Sequence, residues 1–299
     1  MKRRTFVKGT GTVAGGLTLA GCLGGGSGGG ETTTESSDGT TTADASDETT
    51  AAETTSQYDV EEPLVIGSDI PYKPFEYRTT SGELTGFDVD IARAVFGEEM
   101  GLEHEFKKTS FDTIIPSLNN GNFRIIMSAM TINDQRDKKV DFSDPYFTAY
   151  QTVAIRKNGG ISKLEDLKGK TVAVQKGTTG QSAAEDLKKQ FDGDLTIDSY
   201  DQITGAFNAL LNNQAVAVIN DNTVNAQYVS ERDSVVFLEG EGEAAEQGKN
   251  APDYLTLTVE EYGIAFRQDD DQFRKQVNEA LAAIKESGRY DEIYAEYFE

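Results

Sequence analysis

Short apolar segments alternate with amphipathic ones from Leu64 to the end of the chain, and this alternation is the feature that most constrains the fold. The apolar segments have the length of buried strands and lie at 64–69, 125–130, 151–156, 171–175, 215–220 and 262–266. The amphipathic segments repeat apolar residues at helical spacing and lie at 87–100, 111–118, 181–191, 273–284 and 290–298. Strands that alternate with helices predict an α/β fold.

Polar residues follow several of these predicted strands. The positions are Asp69, Thr131, the turn 176–180 and the pair Asn220-Asp221. The strand at 171–175 begins a second α/β unit after the first. Because ligands of open α/β sheets bind beyond the carboxyl ends of the strands, the sequence predicts a ligand cleft between two such units.

The first 22 residues have the features of an export leader. Arg3 and Arg4 lie in the segment KRRTFVK, which resembles the signal of the twin-arginine route. The weakly apolar stretch that follows is shorter than the roughly 20 residues that a membrane-spanning helix needs. It ends in LAGC, which resembles a lipobox, so we expect residues 1–22 to be a signal peptide whose Cys22, the only cysteine in the chain, is lipidated.

A polar segment separates this leader from the first predicted strand. It is glycine-rich at its start, and residues 31–57 contain ten threonines, seven acidic residues and neither a basic nor a large apolar residue. Such a segment cannot bury enough apolar surface to offset its conformational entropy. We therefore expect residues 23–61 to form a disordered tether, whose threonine and serine hydroxyls could also carry sugars.

The net charge excludes one class of partner. The leader holds four of the 28 basic residues and none of the 51 acidic ones, so 24 basic and 51 acidic residues remain after it, a net charge of −27. Nucleic-acid binding needs a basic face, so we expect no nucleic-acid partner. Acidic residues spread along the whole chain are typical of a protein adapted to high salt, where charges are screened over about 3 Å at 1 M. Ordinary solubility is the alternative interpretation.

Eight motifs of the remaining chain carry a resemblance to a known family. In chain order they are PYKPFEY (71–77), GELTGFDVDIARAV (82–95), FDTIIPSLNNG (111–121), MTINDQRDKKVDFSDPYF (130–147), SKLEDLKGKTVAVQKGTTG (162–180), AVAVINDN (215–222), EYGIAFR (261–267) and SGRYDEIYAEYF (287–298). This ordered set resembles the extracytoplasmic solute-binding proteins of family 3, which bind polar amino acids for ABC importers. Together with the charge, the resemblance indicates a haloarchaeal lipoprotein.

The resemblance implies a two-lobed α/β fold of the periplasmic-binding type II class. The first lobe is then discontinuous, with residues 62–153 and 264–299, and residues 154–263 form the second lobe. Two strand crossovers, near 151–158 and 259–266, join the lobes, which close over the ligand. The implied protein is a monomer, anchored through Cys22 to the outer face of the cell membrane. It binds a free amino acid and delivers it to the transmembrane permease subunits.

The family's ligand contacts carry over to residues that suit a zwitterion. Arg136 matches the guanidinium that binds the α-carboxylate, because its fork fits a planar carboxylate. Backbone N–H groups at Thr131, Thr179 and Gly180 complete that shell, the last two where a helix begins. Asp221 matches the acceptor of the ammonium group. Arg136 could instead be a surface arginine, and Asp221 a capping or turn residue.

The ligand side chain is expected to lie between Tyr72 and Phe111, with Asp69 at its polar end. This set favours glutamine or a basic amino acid over glutamate. Tyr72 and Phe111 could instead be core residues of a lobe, and Asp69 a turn residue. Ala129 replaces a glycine that is usual in the family before Thr131 and is still small enough for a ligand to approach.

Two other functions use the same fold. One is an enzyme of the dehydratase type, for which the sequence offers no additional acid or base, so we expect no enzyme and no catalytic residue. The other is a ligand sensor for a signalling receptor, which has the same pocket. We expect no cofactor, and one histidine and one lipidated cysteine exclude a Cys/His metal site.

Overall fold

The computed structural model describes residues 58–248 and 252–299. The predicted leader, with Arg3, Arg4 and Cys22, and the tether up to residue 57 lie outside the described residues. None of the helices in the two described ranges is long and apolar enough to cross a membrane.

The strands and helices of the described residues alternate along the chain. The strands are β1 (Leu64–Ser68), β2 (Tyr77–Arg78), β3 (Leu84–Thr85), β4 (His104–Lys108), β5 (Ile125–Ile126), β6 (Asp141–Phe142), β7 (Phe147–Arg156), β8 (Thr171–Gln175), β9 (Thr196–Tyr200), β10 (Ala217–Asp221), β11 (Val235–Phe237), β12 (Thr256–Tyr262) and β13 (Ala265–Phe266). The α-helices are α1 (Phe87–Ala92), α2 (Phe111–Asn119), α3 (Thr179–Gln190), α4 (Ile203–Leu211), α5 (Asn222–Glu231), α6 (Glu243–Glu246), α7 (Asp271–Glu286) and α8 (Arg289–Phe298).

The first lobe is a five-stranded sheet with helices on both faces. Its strand order is β4-β1-β5-β13-β6, with β4, β1 and β5 parallel and β13 antiparallel to both of its neighbours. Helix α2 packs the fully buried Ile114 and Leu118 against one face. Helices α1, α7 and α8 cover the other face, where Leu64 and Ile66 of β1 are buried. The apolar periodicity of these helices is therefore satisfied by a single sheet.

The second lobe is built on a sheet with the order β11-β7-β10-β8-β9, and β12 also pairs with β7. Helix α3 buries Ala184 and Leu187 against the strands β8 and β10 in one core. On the other side, Phe207 of α4 shares a core with Ala173 and Val218. Strands covered on both faces are apolar, which explains the continuous apolar run of 215–219.

The chain crosses between the lobes twice, on strands that lie side by side. β7 follows β6 of the first sheet into the second sheet, and β12 leads back to β13 of the first. The two crossings pair antiparallel, with Val259 opposite Tyr150 and Tyr262 opposite Phe147. The rings of Phe147 and Tyr262 stack with 5.5 Å between their centroids. A bend between the lobes must therefore bend both crossings together.

Several strands and helices predicted from the sequence are present but begin or end at other residues than predicted. The predicted strand at 125–130 ends at Ile126, because Ala129 has a φ of +45°, which is not an extended conformation. The predicted helix at 181–191 begins at Thr179, since the hydroxyl of Thr178 caps it by accepting the N–H of Gln181 at 3.2 Å. The helix expected at 87–100 becomes π-helical from Arg93 to Glu99.

Arg124 occupies a position where the resemblance to the solute-binding family implies an acidic residue, and it has an ion-pair partner. Its Nε and Nη2 donate to the two carboxylate oxygens of Asp270 at 2.7 and 2.8 Å. Its guanidinium also lies over the ring of Phe273, 5.0 Å from the centroid. The substitution therefore ties the start of β5 to the start of α7 in the first lobe.

Candidate functional site

A small cavity lies where the two lobes face each other. Seven of the nine predicted ligand-binding residues line it, namely Tyr72, Phe111, Ala129, Thr131, Arg136, Thr179 and Asp221, together with Ser128, Gln175 and Thr178. The side chains leave about 10 Å³ of free space between them, about the volume that one water molecule needs. The lobes are therefore closed on one another, and a ligand can enter only when they separate.

Arg136 brings a buried positive charge to this cavity. Arg136 lies in a short turn between β5 and β6, and 8% of its surface is exposed. Nη1 donates to the carbonyl oxygen of Thr131 at 2.7 Å, and Nη2 lies 3.4 Å from the carbonyl oxygen of Gly177 in the second lobe. Burial lowers the pKa of the guanidinium from its usual value. Among the described residues, Arg136 makes no ion pair within 4.0 Å, so its charge has no carboxylate neutralising it directly.

The first turn of α3 stands next to this charge. Thr178 caps the helix, and the hydroxyl of Thr179 points into the cavity lining. Gly180 lies behind the lining rather than in it, packed on β10. A Cβ at Gly180 would approach the carbonyl oxygen of Ile219 to 2.7 Å, so close packing requires glycine here. The free N–H groups of this turn and the positive end of the helix dipole favour an anion.

Glu260 is a buried carboxylate at this site that the sequence reasoning missed. It lies on β12, is 7% exposed, and accepts the hydroxyls of Thr131 at 2.6 Å and Thr179 at 2.8 Å. It therefore joins one residue of each lobe through a crossing strand. The signal for it is the period-two alternation of β12, which buries Glu260 and Tyr262 and exposes Glu261.

Asp221 lies at the end of β10 and is the second charged group of the cavity. One carboxylate oxygen accepts the hydroxyl of Tyr72 from the first lobe, and the other accepts Nε2 of Gln151 from β7. The hydroxyl of Tyr72 also lies 3.0 Å from Oδ1 of Asn220. Burial, and next the charge of Glu260, raise the pKa of Asp221 to about 7. An acceptor of this kind suits an ammonium group, which would restore full ionisation.

Asp69 lies beside the cavity rather than in its lining. Its carboxylate accepts Nε2 of Gln175, which is a lining residue, and Nε2 of Gln202 at 2.9 Å. Both glutamines belong to the second lobe, so Asp69 is a contact between the lobes. Burial raises its pKa to about 6, although the bond from Gln175 lowers it.

The wall of the cavity at Ser128 and Ala129 has an unusual backbone. Ala129 has a φ of +45°, in the left-handed region that glycine adopts without cost. Its N–H donates to Oδ2 of Asp88 at 2.8 Å, and Ser128 Oγ donates to Oε1 of Glu76 at 2.7 Å. The glycine usual in the family at this position is thus explained by its backbone angle, and Ala129 keeps that angle with the help of a buried carboxylate.

The described residues offer no metal site, since no group of three or more His, Cys, Asp or Glu side chains among them is arranged to hold an ion. The chemistry of the cavity is instead that of two opposite charges. The guanidinium of Arg136 and the start of α3 lie on one part of the wall, and the carboxylate of Asp221 lies on another. Aromatic and small side chains lie between them. This arrangement can hold a small zwitterion.

Comparison with known proteins identifies the family of the chain. A sequence model of the family described as bacterial extracellular solute-binding proteins, family 3, matches residues 64–299. A probable histidine-binding protein of Neisseria gonorrhoeae is 35% identical over 241 residues, which cover 78% of this chain and 82% of that protein. The ABC transporter glutamine-binding protein of Bacillus subtilis (strain 168) is 34% identical over 224 residues, 73% of this chain and 74% of that protein.

A solved structure shows the same architecture. An ancestral arginine-binding protein bound to arginine superposes with a TM-score of 0.69 and 35% identity, over 79% of this chain and 98% of that chain. The predicted two-lobed α/β fold is therefore confirmed. The chain belongs to the bacterial extracellular solute-binding proteins of family 3.

Proposed function

We propose that this protein captures a free polar amino acid outside the cell by closing its two lobes, and delivers it to the permease of an ABC importer. Relatives with 35% and 34% identity are named as histidine- and glutamine-binding proteins, and a structural neighbour binds arginine. Glutamine and the basic amino acids are therefore the favoured ligands.

The observation that carries this proposal is the charge of Arg136. A buried guanidinium costs free energy unless an anion pairs with it, and the described residues supply none within 4.0 Å. The α-carboxylate of an amino acid supplies that anion in a planar, bidentate form. The N–H groups at the start of α3, with Thr179 and Gly180, and the N–H of Thr131 would complete its shell.

Asp221 is the proposed partner of the α-ammonium group. In the closed protein its carboxylate is bonded by Tyr72 and Gln151, which the ligand ammonium would replace as donor. The ligand side chain would then lie along Tyr72, Phe111 and Ala129. Its polar end would approach Gln175, which is held by Asp69.

Closure of the lobes makes these contacts possible. We place the lobe boundaries at 62–153 with 264–299, and at 154–263, with β7 and β12 as the hinge. Two ion pairs between the lobes support a closed form at the surface, Lys73 with Glu231 at 2.9 Å and Lys176 with Asp112 at 3.3 Å. Both pairs are exposed and weaken with salt.

The proposed location follows from the first 61 residues. A twin-arginine signal would export the chain already folded, and a lipid on Cys22 would anchor it to the outer face of the membrane. The tether 23–61 would keep the lobes of a monomer near the permease. The acidic composition fits a protein that works at high salt.

A binding role rather than a catalytic one is supported by the titratable groups of the cavity. Arg136 and Asp221 are both assigned to the two charged ends of the ligand, and Glu260 is bonded to Thr131 and Thr179. Among the described residues that line the cavity, Asp221 is the one carboxylate, and the lining contains neither histidine nor lysine as an additional general acid or base. A receptor-coupled sensor would use the same closed form.

Thermal melting tests the proposal. The purified protein is stripped of ligand by unfolding and refolding, and is then melted in molar salt with each of the twenty amino acids. A ligand at 100 times its Kd adds about 2.7 kcal/mol to the free energy of unfolding. Glutamine or a basic amino acid should raise Tm the most. If none of the twenty raises it, the proposed substrate class is wrong.

A further inference from the structure

We propose that the two carboxyl groups of Glu76 and Asp88 together carry one proton, which resides on Glu76. We also propose that this pair positions the cavity wall at Ser128 and Ala129 for the ligand. Both residues belong to motifs that the ligand shell does not use, PYKPFEY and GELTGFDVDIARAV. The effect on ligand binding rests on the proposed function. The protonation of the pair and its bonds to the wall rest on the described fold alone.

The two carboxyl groups are buried together without a cation. Both residues are fully buried, and the N–H of Asp88 donates to the carbonyl oxygen of Phe75 at 3.0 Å, which brings the start of α1 beside Glu76. Among the described residues, neither carboxyl group makes an ion pair within 4.0 Å. Two carboxylates in such a site cannot both stay ionised, so at least one holds a proton.

The pair holds the wall through two consecutive residues. Ser128 Oγ donates to Oε1 of Glu76 at 2.7 Å and accepts the N–H of Asp69 at 2.9 Å. The N–H of Ala129 donates to Oδ2 of Asp88 at 2.8 Å. Since Ala129 is in the left-handed region, this bond fixes a backbone that would otherwise relax. Both Ser128 and Ala129 line the cavity.

The hydrogen bonds place the proton on Glu76. Each oxygen of Asp88 accepts a donor, the N–H of Ala129 and the hydroxyl of Tyr146 at 2.8 Å, and both bonds favour the ionised form. Oε2 of Glu76 has no partner among the described residues. The hydroxyl of Ser68 lies beside Glu76 and is likewise without a partner there. In the proposed arrangement it accepts the proton on this oxygen, whereas a Ser68 hydroxyl that donated to Glu76 would favour the ionised carboxylate.

The electrostatics point the same way. Burial, and next the charge of Asp88, raise the pKa of Glu76 well above its usual range. Burial raises the pKa of Asp88 as well, to about 7. Hydrogen bonds lower the pKa of both groups, those of Ser128 and Ser68 at Glu76 and those of Ala129 and Tyr146 at Asp88, but only Glu76 also carries the charge of its neighbour as a raising cause. The other groups that face the pair are Ser128, Asp69 and Ser68 around Glu76, and Tyr146, itself near Tyr290, beside Asp88. None of these neighbours is a cation.

Loss of the shared proton should therefore loosen the wall. A carboxyl group whose pKa is raised on folding stabilises the fold fully below its unfolded pKa, and this contribution is lost as pH rises through the folded pKa. Ionised Glu76 would repel Asp88 and draw Ser128 away from its present position. Ligand affinity and Tm should both decline on the alkaline side.

The first arm of the test is Glu76→Gln, measured by calorimetric titration of the ligand that raises Tm most. Each Kd from pH 7 to 9.5 is divided by the same protein's value at pH 7. At each pH, the normalised Kd of the wild type is then divided by the normalised Kd of the variant. Because the ammonium group of the ligand titrates equally in both experiments, its contribution cancels in this ratio. We expect this ratio to rise with pH, by up to about tenfold per pH unit. A ratio that stays flat overturns the shared proton.

The second arm is Asp88→Asn, which tests where the proton resides. An amide offers one acceptor oxygen, so either Ala129 or Tyr146 loses its present bond. We expect ligand affinity to fall roughly tenfold or more at every pH. If Asp88→Asn keeps the wild-type affinity while Glu76→Gln loses it at every pH, the proton is on Asp88 and the assignment is wrong.

A third measurement uses the wild-type protein and no ligand. Carbon-13 labelling of glutamate carboxyl groups alone removes Asp69 and Asp221 from the spectrum. One glutamate signal should titrate well above the usual range of a glutamate carboxyl group, and the absence of any such signal overturns the proposal even if Glu76→Gln does not fold. Should no amino acid bind, the proposed function fails, but this titration still decides whether the pair exists.

Discussion

The guanidinium of Arg136 lies over the ring of Phe111, with 5.2 Å between Cζ and the ring centroid. Phe111 begins α2, whereas Arg136 follows β5, so the contact joins two separate elements of the first lobe. The ring is a wall of the cavity and also a support for the charge. The sequence assigned Phe111 either to the ligand or to the core, and it lines the cavity while also packing against the core around Ile114.

Replacing Phe111 by leucine should weaken every amino-acid ligand about two- to fivefold, because an interaction of about 0.5–1 kcal/mol between the cation and the ring is lost. Isothermal titration at one pH measures the change. Phe111→Tyr keeps an aromatic face and serves as the control. Equal losses in both variants would show that the ring does not support Arg136.

Arg136→Lys should raise the Kd of all amino-acid ligands about 10- to 100-fold, since a charge-assisted, bidentate pair becomes a single point contact. The unliganded Tm should change little in comparison. The same substitution at the exposed Arg289 of α8 is the control and should leave the affinity unchanged. Wild-type affinity in Arg136→Lys would place the carboxylate site elsewhere.

Asp69→Asn should change the ranking of ligands. The carboxylate accepts both Gln175 and Gln202, and the amide removes one acceptor and the negative charge. Arginine should therefore lose about three- to tenfold in affinity relative to glutamine, since a nearby carboxylate favours a cationic side chain. Competition titrations of the two ligands give this ratio directly. An unchanged ratio would remove Asp69 from the selectivity of the site.

Ala129→Gly should leave the free energy of unfolding unchanged or raise it by up to about 1 kcal/mol. Glycine relieves a left-handed backbone that costs about 1–2 kcal/mol, against its own entropy cost of about 0.5–1 kcal/mol. The same change at the buried Ala184 of α3 should destabilise by about 1 kcal/mol or more. Denaturant unfolding of the two variants checks the difference, and a similar loss at both positions would contradict it.

The ligand-free protein should close more readily at pH 5 than at pH 8. Burial in the closed form raises the pKa of Asp221 to about 7, so closure takes up a proton. That contribution is complete below the pKa of the open form, about 3.9 for a solvated aspartate, and is lost as pH rises through about 7. Small-angle scattering should give a larger radius of gyration at pH 8. Asp221→Asn should reduce the difference, and the remainder is expected from Asp69, whose pKa burial between the lobes raises to about 6. A difference that Asp221→Asn leaves unchanged would assign it to another group.

The family resemblance supplied the predicted ligand-binding residues, and seven of the nine lie in the cavity. Arg136 and Asp221 are the charged pair among them, a guanidinium fork and an acceptor that suit a zwitterion, and the structure brings both to one cavity. Glu260 was missed because nothing in the run VEEY separates it from Glu261 except the alternation of the strand. The lining position of Gln175 depends on how the lobes face each other, and strand patterns do not contain that information.

Backbone angles and buried pairs were also beyond the sequence. The early end of β5 follows from the conformation of Ala129, which the apolar run IIMSAM does not reveal. The approach of Asp88 to Glu76 depends on a hydrogen bond between segments that the motif list separates. Local patterns thus predicted which elements form, and tertiary contacts decided where they end and which charges meet.

The bonds that Tyr72 and Gln151 make to Asp221 mean that the ammonium group of a ligand would not meet an unpaired carboxylate, in contrast to the carboxylate end at Arg136. The ammonium group exchanges its own hydrogen bonds for those the protein already has, and only the difference contributes to affinity. A molecule that lacks either the ammonium or the carboxylate group leaves the exchange unfavourable. With the proposed contacts, simple amines and organic acids, which each lack one of the two charged groups, should bind more weakly than amino acids.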